Sequence, residues 1–291
     1  MLSLVLPKGS LEAATLDLFD AADLAVRRGS DRDYHAVVDD PRIDRVRFLR
    51  PQEIPQYVEQ GLFDLGITGR DWITETESDV VSLSELQYSK ATGQPVRVVL
   101  AVPMDSPWRS AADLPDGVRI STEFPAMTRR FLDQHGVKAV VVPSYGATEA
   151  RVPDIVDAIV DLTETGSSLR KNGLRVLDTL LTSYTEVIAN RGAHADRQKR
   201  AAMEDIVLLL GGAVRASRHV LVKLNVAAAD LPAVLALMPA ATSPTLMPLA
   251  TGEHSAVEAV VPKATVNTLI PALKAAGGFD ILELPISKIV E

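Results

Sequence analysis

A loop rich in hydroxyl side chains follows a short apolar run near the middle of the chain. The segment reads DAIVDLTETGSSL, from Asp157 to Leu169. Gly166 permits a tight turn in which consecutive backbone N–H groups point at one anion, and the hydroxyls add donors. The loop residues are Thr163, Glu164, Thr165, Gly166, Ser167 and Ser168. Its spacing fits a phosphate-binding loop and an ordinary helix-capping loop equally well.

Two carboxylates stand just upstream of this loop. Asp157 and Asp161 flank the apolar residues of the presumed strand. Carboxylates at such a position can accept hydrogen bonds from ribose hydroxyls or hold Mg²⁺ through water. Together with the loop they predict a site for a phosphorylated sugar.

Three further turns follow apolar runs and carry cations or hydroxyls. Lys8 and Gly9 come directly after the first run, although an N-cap beside a solvated lysine is the simpler interpretation of that pattern alone. Arg50, held extended by Pro51, could grip a polyphosphate by a bidentate contact, or be a plain surface arginine. Thr68 and Gly69 form the turn within FDLGITGRD, residues 63–71. A cleft between two lobes would gather these turns together.

Composition narrows the possible functions. The chain has 291 residues, a net charge of −8 and no cysteine. The negative charge disfavours nucleic acid as the main partner, and the missing cysteines exclude disulfides and thiolate metal sites. The five histidines show no metal-binding spacing. Apolar runs are too short for a signal peptide or a membrane span, so we expect a cytoplasmic protein without membrane contact.

The pattern of elements is α/β. Short apolar runs alternate with helical spacing over the first 210 residues or so, and helical spacing also covers 152–159. We expect a first lobe at 1–95, completed by about 180–212, and a second lobe at 96–179. The tail, 213–291, shows the order βαββαβ, which is the ferredoxin-like plan.

Taken together, these stretches resemble the ATP phosphoribosyltransferase family. The resemblance rests on LPKGSLEAATLDLF, the arginine-proline at 50–51, FDLGITGRD and above all VDAIVDLTETGSSLRKNGL. It covers nearly the whole chain, and the tail is similar to the regulatory domain of the family's long form. It implies a two-lobed, periplasmic-binding-protein-like catalytic region followed by a ferredoxin-like domain.

The resemblance also implies a reaction. A ring nitrogen of ATP's adenine attacks the anomeric carbon of phosphoribosyl pyrophosphate, and pyrophosphate leaves with Mg²⁺, in the first step of histidine biosynthesis. By the same resemblance the loop 163–168 binds the 5′-phosphate. Asp157 and Asp161 lie by the ribose, and Lys8, Arg50, Thr68 and Gly69 face pyrophosphate or ATP.

Long-form relatives imply a hexamer that histidine inhibits and that needs no separate regulatory subunit. For histidine, the resemblance and the turn pattern suggest Asn225, Ser243, Thr245 and Gly277. These could equally be ordinary strand-end and turn residues. Two departures from the family pattern stand out: Ser10 replaces a common arginine, and Glu164 lies inside the presumed phosphate loop.

Two other functions fit parts of the pattern. A non-enzymatic two-lobed binding protein would share the architecture, but it has no need for a phosphate loop beside two carboxylates. A phosphoribosyltransferase acting on a free base would share an acidic loop, but it typically lacks the LPKGS and FDLGITGRD elements and the tail.

Overall fold

The computed structural model describes residues 1–30, 32–88, 95–238, 243–250 and 252–290. Among them, the strands are β1 (Leu2–Pro7), β2 (Val26–Arg27), β3 (His35–Val38), β4 (Ile43–Leu49), β5 (Leu65–Gly69), β6 (Val81–Leu86), β7 (Val96–Pro103), β8 (Arg119–Thr122), β9 (Val140–Pro143), β10 (Ala158–Thr163), β11 (Leu174–Ser183), β12 (Thr185–Ala189), β13 (His219–Ala227), β14 (Thr245–Pro248), β15 (His254–Pro262) and β16 (Phe279–Pro285).

The helices of the described chain alternate with these strands. They are α1 (Glu12–Ala21), α2 (Ile54–Glu59), α3 (Arg70–Thr76), α4 (Pro125–Gln134), α5 (Ser167–Lys171), α6 (Arg191–Ala195), α7 (Arg197–Ala216), α8 (Leu231–Leu237) and α9 (Val266–Ala275). None of the helices in the described ranges is both long enough and apolar enough to cross a bilayer.

Three sheets organise the chain. The first has the order β2-β3-β4-β1-β5-β12-β6, the second β11-β7-β10-β8-β9 and the third β14-β15-β13-β16. In the first sheet β1 runs parallel to β4 and β5, and in the second β8 runs parallel to β9 and β10. The third is antiparallel, with the connectivity βαββαβ. The predicted α/β fold, with a periplasmic-binding-protein-like region and a ferredoxin-like tail, is confirmed.

The central strands of the second sheet are apolar because both of its faces are covered. One face of the second sheet packs around Leu100, Ile120 and Phe124, and the other around Ile159 and Leu169. The third sheet buries one face under α8 and α9, around Val222, Leu224 and Leu273.

The chain divides into two compact units. One comprises 1–17 and 24–207, and the other 18–23 and 208–291. The first unit contains both α/β sheets, and the second contains the ferredoxin-like sheet. The lobe and tail boundaries expected from the sequence stay predictions.

One local prediction was wrong. The segment 152–159 is not a helix: after a 3₁₀ turn at Thr148–Arg151 the chain turns and enters β10 at Ala158. Val152 is extended, with φ of −97° and ψ of 137°, as a residue that precedes proline usually is, so the 3₁₀ turn does not continue as a helix. The glycine pair at 211–212 neither breaks nor ends α7, which continues to Ala216. Its neighbours on both sides are good helix formers.

Candidate active site

The carboxyl ends of parallel strands gather at one edge of each α/β sheet. In the first sheet, β1, β4 and β5 end at Pro7, Leu49 and Gly69, and we call this the first edge. In the second sheet, β8 and β10 end at Thr122 and Thr163, which define the second edge. Ligands of open α/β sheets bind beyond such edges.

The two edges meet where β11 passes into β12. Only Tyr184 separates the end of one strand from the start of the other. The backbone N–H of Arg70, just beyond β5, donates to the Tyr184 carbonyl at 2.9 Å, and the N–H of Asp71 donates to Ser183 Oγ at 3.1 Å. Residues beyond both edges therefore border a common space.

Lys8, Gly9 and Arg50 come together at the first edge. The Lys8 N–H donates to the Leu49 carbonyl at 2.7 Å, which ties the turn after β1 to the end of β4. Gly9 has φ of +101°, and a Cβ there would lie 3.3 Å from a terminal nitrogen of Arg50. Within the described residues the Arg50 guanidinium is exposed and makes no hydrogen bond or ion pair. It is available to an anion.

A second arginine joins this edge from a distant part of the sequence. Arg28 and Lys8 both pair with Glu12, at 2.6 and 2.9 Å, and both cations lie over the Phe48 ring. The two cations lower the pKa of Glu12, although its partial burial opposes them. Ser10 lacks the charge that the family pattern places after the glycine, and Arg28 provides one nearby.

A basic cavity of about 470 Å³ borders Arg28. It opens over β2, β3 and β4, where His35 and Arg47 are direct cross-strand neighbours. Its lining residues are Arg27, Arg28, Gly29, His35, Ala36, Val37, Asp44, Arg45 and Arg47. Four arginines against one aspartate make this cavity suited to polyanions.

Thr68 and Gly69 are the last two residues of β5, at the first edge. Buried Thr68 donates from Oγ1 to the Pro51 carbonyl at 2.9 Å, which links β5 to the turn after Arg50. A Cβ at Gly69 would meet the Asp71 carboxylate at 2.0 Å, so only glycine fits while Asp71 folds back to accept the Trp72 N–H.

Arg70, by contrast, is held by the protein. Its guanidinium binds Glu186, which is 3% exposed, and Glu85, and it lies over the Tyr184 ring at 5.3 Å. These contacts join β5, β12 and β6. Arg70 therefore supports the sheet and is not free to bind a substrate.

The hydroxyl-rich loop lies at the second edge as a tight turn. Gly166 has φ of +71° and donates its N–H to Thr163 Oγ1 at 2.8 Å. Thr165, Ser167 and Ser168 are exposed, and Ser168 Oγ donates to Glu149 at 2.9 Å. A terminal nitrogen of Arg170 lies 3.0 Å from where a Cβ of Gly166 would stand. The loop thus offers hydroxyls, a turn and one cation.

Glu164 is the residue of the loop that departs most from the expected pattern. One of its carboxylate oxygens is buried and has no hydrogen-bond partner in the described parts of the chain. Its side chain therefore adds no donor to the loop, and any contribution to a phosphate site would come from its backbone.

Three carboxylates surround the base of the loop. Burial is the main cause that raises the pKa of Asp161 to about 6, and the charges of Glu149 and Glu123 raise it further. The Leu162 N–H, which donates to Asp161 Oδ1 at 2.7 Å, opposes this rise. Burial also raises the pKa of Glu123. The Arg151 guanidinium donates to Ser121 Oγ and to the Pro143 carbonyl, and not to these carboxylates.

Asp157 lies at the other end of β10. It precedes the strand, and its carboxylate accepts the N–H of Arg119 at 2.9 Å and pairs with that guanidinium at 2.7 Å. At about 3.3 Å per residue, Asp157 is roughly 20 Å from Thr163. The expected position of Asp157 beside the ribose is therefore wrong. Arg119 lowers the pKa of this carboxyl, and the pair joins β8 to β10.

The acidic side chains do not build a metal site on their own. Across the described ranges, no three His, Cys, Asp or Glu side chains lie together as ligands for a metal ion. The pair Asp157 and Asp161, expected to hold Mg²⁺ through water, is divided between opposite ends of β10.

The four residues expected at a histidine site lie on different elements of the tail. Asn225 lies on β13 in one row with Ala256 and Met247, whereas Thr245 pairs with Glu258 in the next row on the same face. Ser243 just precedes β14. Gly277, with φ of +96°, lies across from Asp230, whose carboxyl carbon is 2.7 Å from a would-be Cβ. Asn225 Nδ2 donates to Asp280 at 3.2 Å.

Four side chains of the two edges escaped the sequence analysis. Arg28, Glu123, Glu149 and Arg170 reach the edges from positions that carry no motif of their own. Only Arg170 had a local signal, since it follows Gly166 by four residues on a helix.

Known proteins match the chain over its whole length. The model of the family described as ATP phosphoribosyltransferase matches residues 50–212, and that described as HisG, C-terminal domain, matches 216–288. The ATP phosphoribosyltransferase of Pelotomaculum thermopropionicum is 46% identical over 291 residues, covering 99% of each chain. That of Solibacter usitatus is 47% identical over 290 residues, covering all of this chain and 99% of the other.

A solved structure matches a large part of the chain. It is the ATP phosphoribosyl transferase (HisG:HisZ) complex from Thermotoga maritima, with a TM-score of 0.61 and 27% identity over 72% of this chain and 98% of that one. The family models and the full-length relatives agree with the two edges and the antiparallel tail. The chain belongs to the ATP phosphoribosyltransferase family, in its long form with the C-terminal domain.

Proposed function

We propose that this chain is a cytoplasmic enzyme that condenses ATP with 5-phosphoribosyl 1-pyrophosphate to give phosphoribosyl-ATP and pyrophosphate, the first step of histidine biosynthesis. The observation that carries the proposal is the meeting of a cationic edge with a phosphate-type loop beside three carboxylates, in a chain of this family.

The second edge binds the phosphoribosyl group in this proposal. The exposed hydroxyls of Thr165, Ser167 and Ser168, with the turn at Gly166 and the Arg170 guanidinium, receive the 5′-phosphate. Thr163 keeps the turn closed through its bond to the Gly166 N–H. Asp161, near the carboxyl end of β10, lies beside the ribose.

The first edge binds ATP and pyrophosphate. Lys8 and Arg50 are the cations nearest to the phosphates, and Gly9 lets the Arg50 guanidinium approach the backbone. Arg28 and the basic cavity extend the positive field along the triphosphate. Thr68 and Gly69 hold the strand end that faces the nucleotide.

A ring nitrogen of adenine then attacks the anomeric carbon. A C–N bond forms, and the bond from that carbon to the pyrophosphate oxygen breaks. Positive charge develops on the ribose ring, so an ionised Asp161 in a partly buried site stabilises the transition state. The cations of the first edge stabilise the departing pyrophosphate, and the meeting of the edges places the two reactants together.

Mg²⁺ remains the proposed cofactor, carried by the phosphate oxygens of the substrates. The described carboxylates do not form a metal site of their own. No step is therefore assigned to a protein-held ion.

We further propose that histidine inhibits the enzyme through the tail and that the active form is a hexamer without a separate regulatory subunit. Support comes from the match of 216–288 to the C-terminal domain of the family. Histidine must bind one conformational state better than the other, with a coupling of about 1–3 kcal/mol. Asn225, Ser243, Thr245 and the Gly277 turn are the proposed contacts, shared between neighbouring rows of the sheet.

A steady-state assay tests the proposal. The full chain is incubated with ATP, phosphoribosyl pyrophosphate and Mg²⁺, with and without histidine, and phosphoribosyl-ATP is followed. We expect product formation that histidine suppresses, and suppression that weakens in Asn225→Ala at unchanged basal rate. Product without histidine sensitivity would remove the regulatory proposal alone. Ligand binding without product would favour a binding protein.

A further inference from the structure

Helix α4 begins without a capping side chain of its own. The residue before it is Phe124, which has no acceptor, and Pro125 is its first residue. The N–H groups of Ala126 and Met127 would lack partners at the start of a helix. Phe124 itself is fully buried, so water cannot easily replace the missing cap.

Glu75, from the last turn of α3, provides the missing acceptors. Its Oε1 accepts the Ala126 N–H at 2.8 Å, and its Oε2 accepts the Met127 N–H at 2.8 Å. A carboxylate at a helix N-terminus satisfies two donors and also meets the positive end of the helix dipole. The two residues it binds lie more than 50 positions further along the chain.

Other contacts reinforce the same junction. Arg130 of α4 donates to the Thr74 carbonyl at 2.5 Å and pairs with Glu77 at 2.7 Å. The Trp72 ring lies 4.6 Å from the Phe124 ring and packs against the core of the second sheet. We call this set, α3 residues 72–77 with α4 residues 124–130, the α3–α4 latch.

The latch connects the two edges of the site. Helix α3 starts at Arg70, directly after Gly69 at the first edge. Helix α4 starts three residues after Thr122 at the second edge, with Glu123 in between. Between the edges the chain itself continues through Ser183–Thr185. Within the described residues, the latch is a further, non-covalent link between the same edges.

We propose that Glu75 is a positioning residue for the reaction: by holding the N-terminus of α4 against α3, it sets the distance between the nucleotide and the phosphoribosyl group. The proposal rests on the proposed function, because it assigns one reactant to each edge. Glu75 itself touches neither reactant. Its effect passes through α4 to Glu123 and the second edge.

Loss of the latch should therefore affect the reaction step more than binding. Each edge keeps its own ligand contacts, but a shift of about 1 Å between reactants can lower the rate roughly 100-fold. We expect Glu75→Ala to lower kcat by about 100-fold while the KM values for both substrates change by less than about fivefold. Glu75→Gln keeps one acceptor oxygen and should be intermediate.

Tryptophan fluorescence reports the latch independently of activity. The chain has two tryptophans, and Trp108→Phe leaves Trp72 as the reporter. In that background, Glu75→Ala should make Trp72 more accessible to acrylamide. Glu59→Ala is the matched control, since Glu59 also accepts a backbone N–H, that of Asp79 at 2.9 Å, but joins no edge to the other. It should leave both readouts unchanged.

The outcomes separate the alternatives. A merely structural Glu75 would lower the Tm of the variant and leave kcat per folded molecule unchanged, which would overturn the proposal. Normal kcat with an exposed Trp72 would overturn it too, as would lost kcat with Trp72 still protected. If Glu75→Ala does not fold, Glu75→Gln decides by the same two readouts. A wild-type chain that makes no phosphoribosyl-ATP would instead sink the proposed function.

Discussion

The two edges of the catalytic region have opposite electrostatic character. At the first edge Lys8, Arg28 and Arg50 gather beside a cavity lined by four arginines. At the second edge Glu123, Glu149 and Asp161 surround a loop that offers hydroxyls and one guanidinium. The chain as a whole carries a net charge of −8, so the cationic edge is a local construction.

In the proposed function, this contrast lets one site bind two phosphorylated substrates. A triphosphate needs concentrated positive charge, which the first edge provides. A sugar that develops positive charge needs negative charge near its ring, and a single phosphate can be held by a turn with few cations. Opposite edges let one chain meet both demands without the carboxylates neutralising the arginines.

Removing the central carboxylate should have the largest effect. Asp161→Asn keeps the shape but removes the negative charge near the ribose, so turnover should fall by roughly 1,000-fold while phosphoribosyl pyrophosphate still binds. The measurement is kcat beside affinity by calorimetry. Near-normal turnover would take Asp161 out of the site and leave the acidic edge without a chemical role.

Changing the turn should break the second edge at its phosphate. In Gly166→Val a β-branched residue at φ of +71° is strained and meets Arg170, so affinity for phosphoribosyl pyrophosphate should fall by at least about 100-fold. Gly136→Val is the control, because Gly136 has the same φ and open space around it. Unchanged affinity by calorimetry in Gly166→Val would refute the phosphate loop.

The carboxylates of the second edge should also make the free energy of unfolding depend on pH. The folded pKa of Asp161 is raised from 3.8 to about 6, so its protonated form stabilises the fold below about pH 3.8 and this contribution is lost as pH rises through about 6. The free energy of unfolding of Asp161→Asn, taken relative to wild type, should therefore rise by up to about 3 kcal/mol between about pH 4 and pH 7.5. Urea unfolding at both pH values measures it. An equal gain at both pH values would point to packing and not to charge.

Weakening the cationic edge should affect ATP more than phosphoribosyl pyrophosphate. Arg50→Met removes an unpaired guanidinium, and we expect the KM for ATP to rise about 10- to 30-fold, with a weaker dependence on salt. The KM for phosphoribosyl pyrophosphate should change less. Arg191→Met, which removes a surface arginine paired with Asp79, controls for net charge. An equal rise in KM for both substrates would mean that the two edges do not bind different substrates.

The smallest effect should come from the other aspartate of β10. Asp157→Asn loses its pair with Arg119 at the far end of the strand, so kcat should stay within about twofold of wild type. Parallel assays of Asp157→Asn and Asp161→Asn make the comparison direct. A large loss of turnover in Asp157→Asn would restore it to the site.

Much of the fold was predictable because its signals are local. The apolar strands, the Gly166 turn and the βαββαβ tail each depend on residues close together in sequence. The prediction at 152–159 was wrong because proline outweighed the helical spacing there, whereas α7 continues through its glycine pair. The predicted roles of the loop, Lys8 and Arg50 stay predictions until they are measured.

Asp157 and Asp161 show where such analysis ends. They have the same side chain and are four residues apart, yet one precedes β10 and the other lies near its carboxyl end. Spacing placed both beside the loop. Strand direction and the partner Arg119 separate them, and neither can be inferred from the segment itself.

By itself, the sequence determined the kinds of chemistry that the chain can do and the elements that carry it, because turns, strand propensity and hydroxyl or cationic side chains are properties of short segments. Only the tertiary structure decided which of those side chains act together. Arg28 joins Lys8 through Glu12, Glu149 reaches Ser168, and Glu75 caps a helix about 50 residues away. Such partners are selected by strand order and packing, which depend on the whole chain.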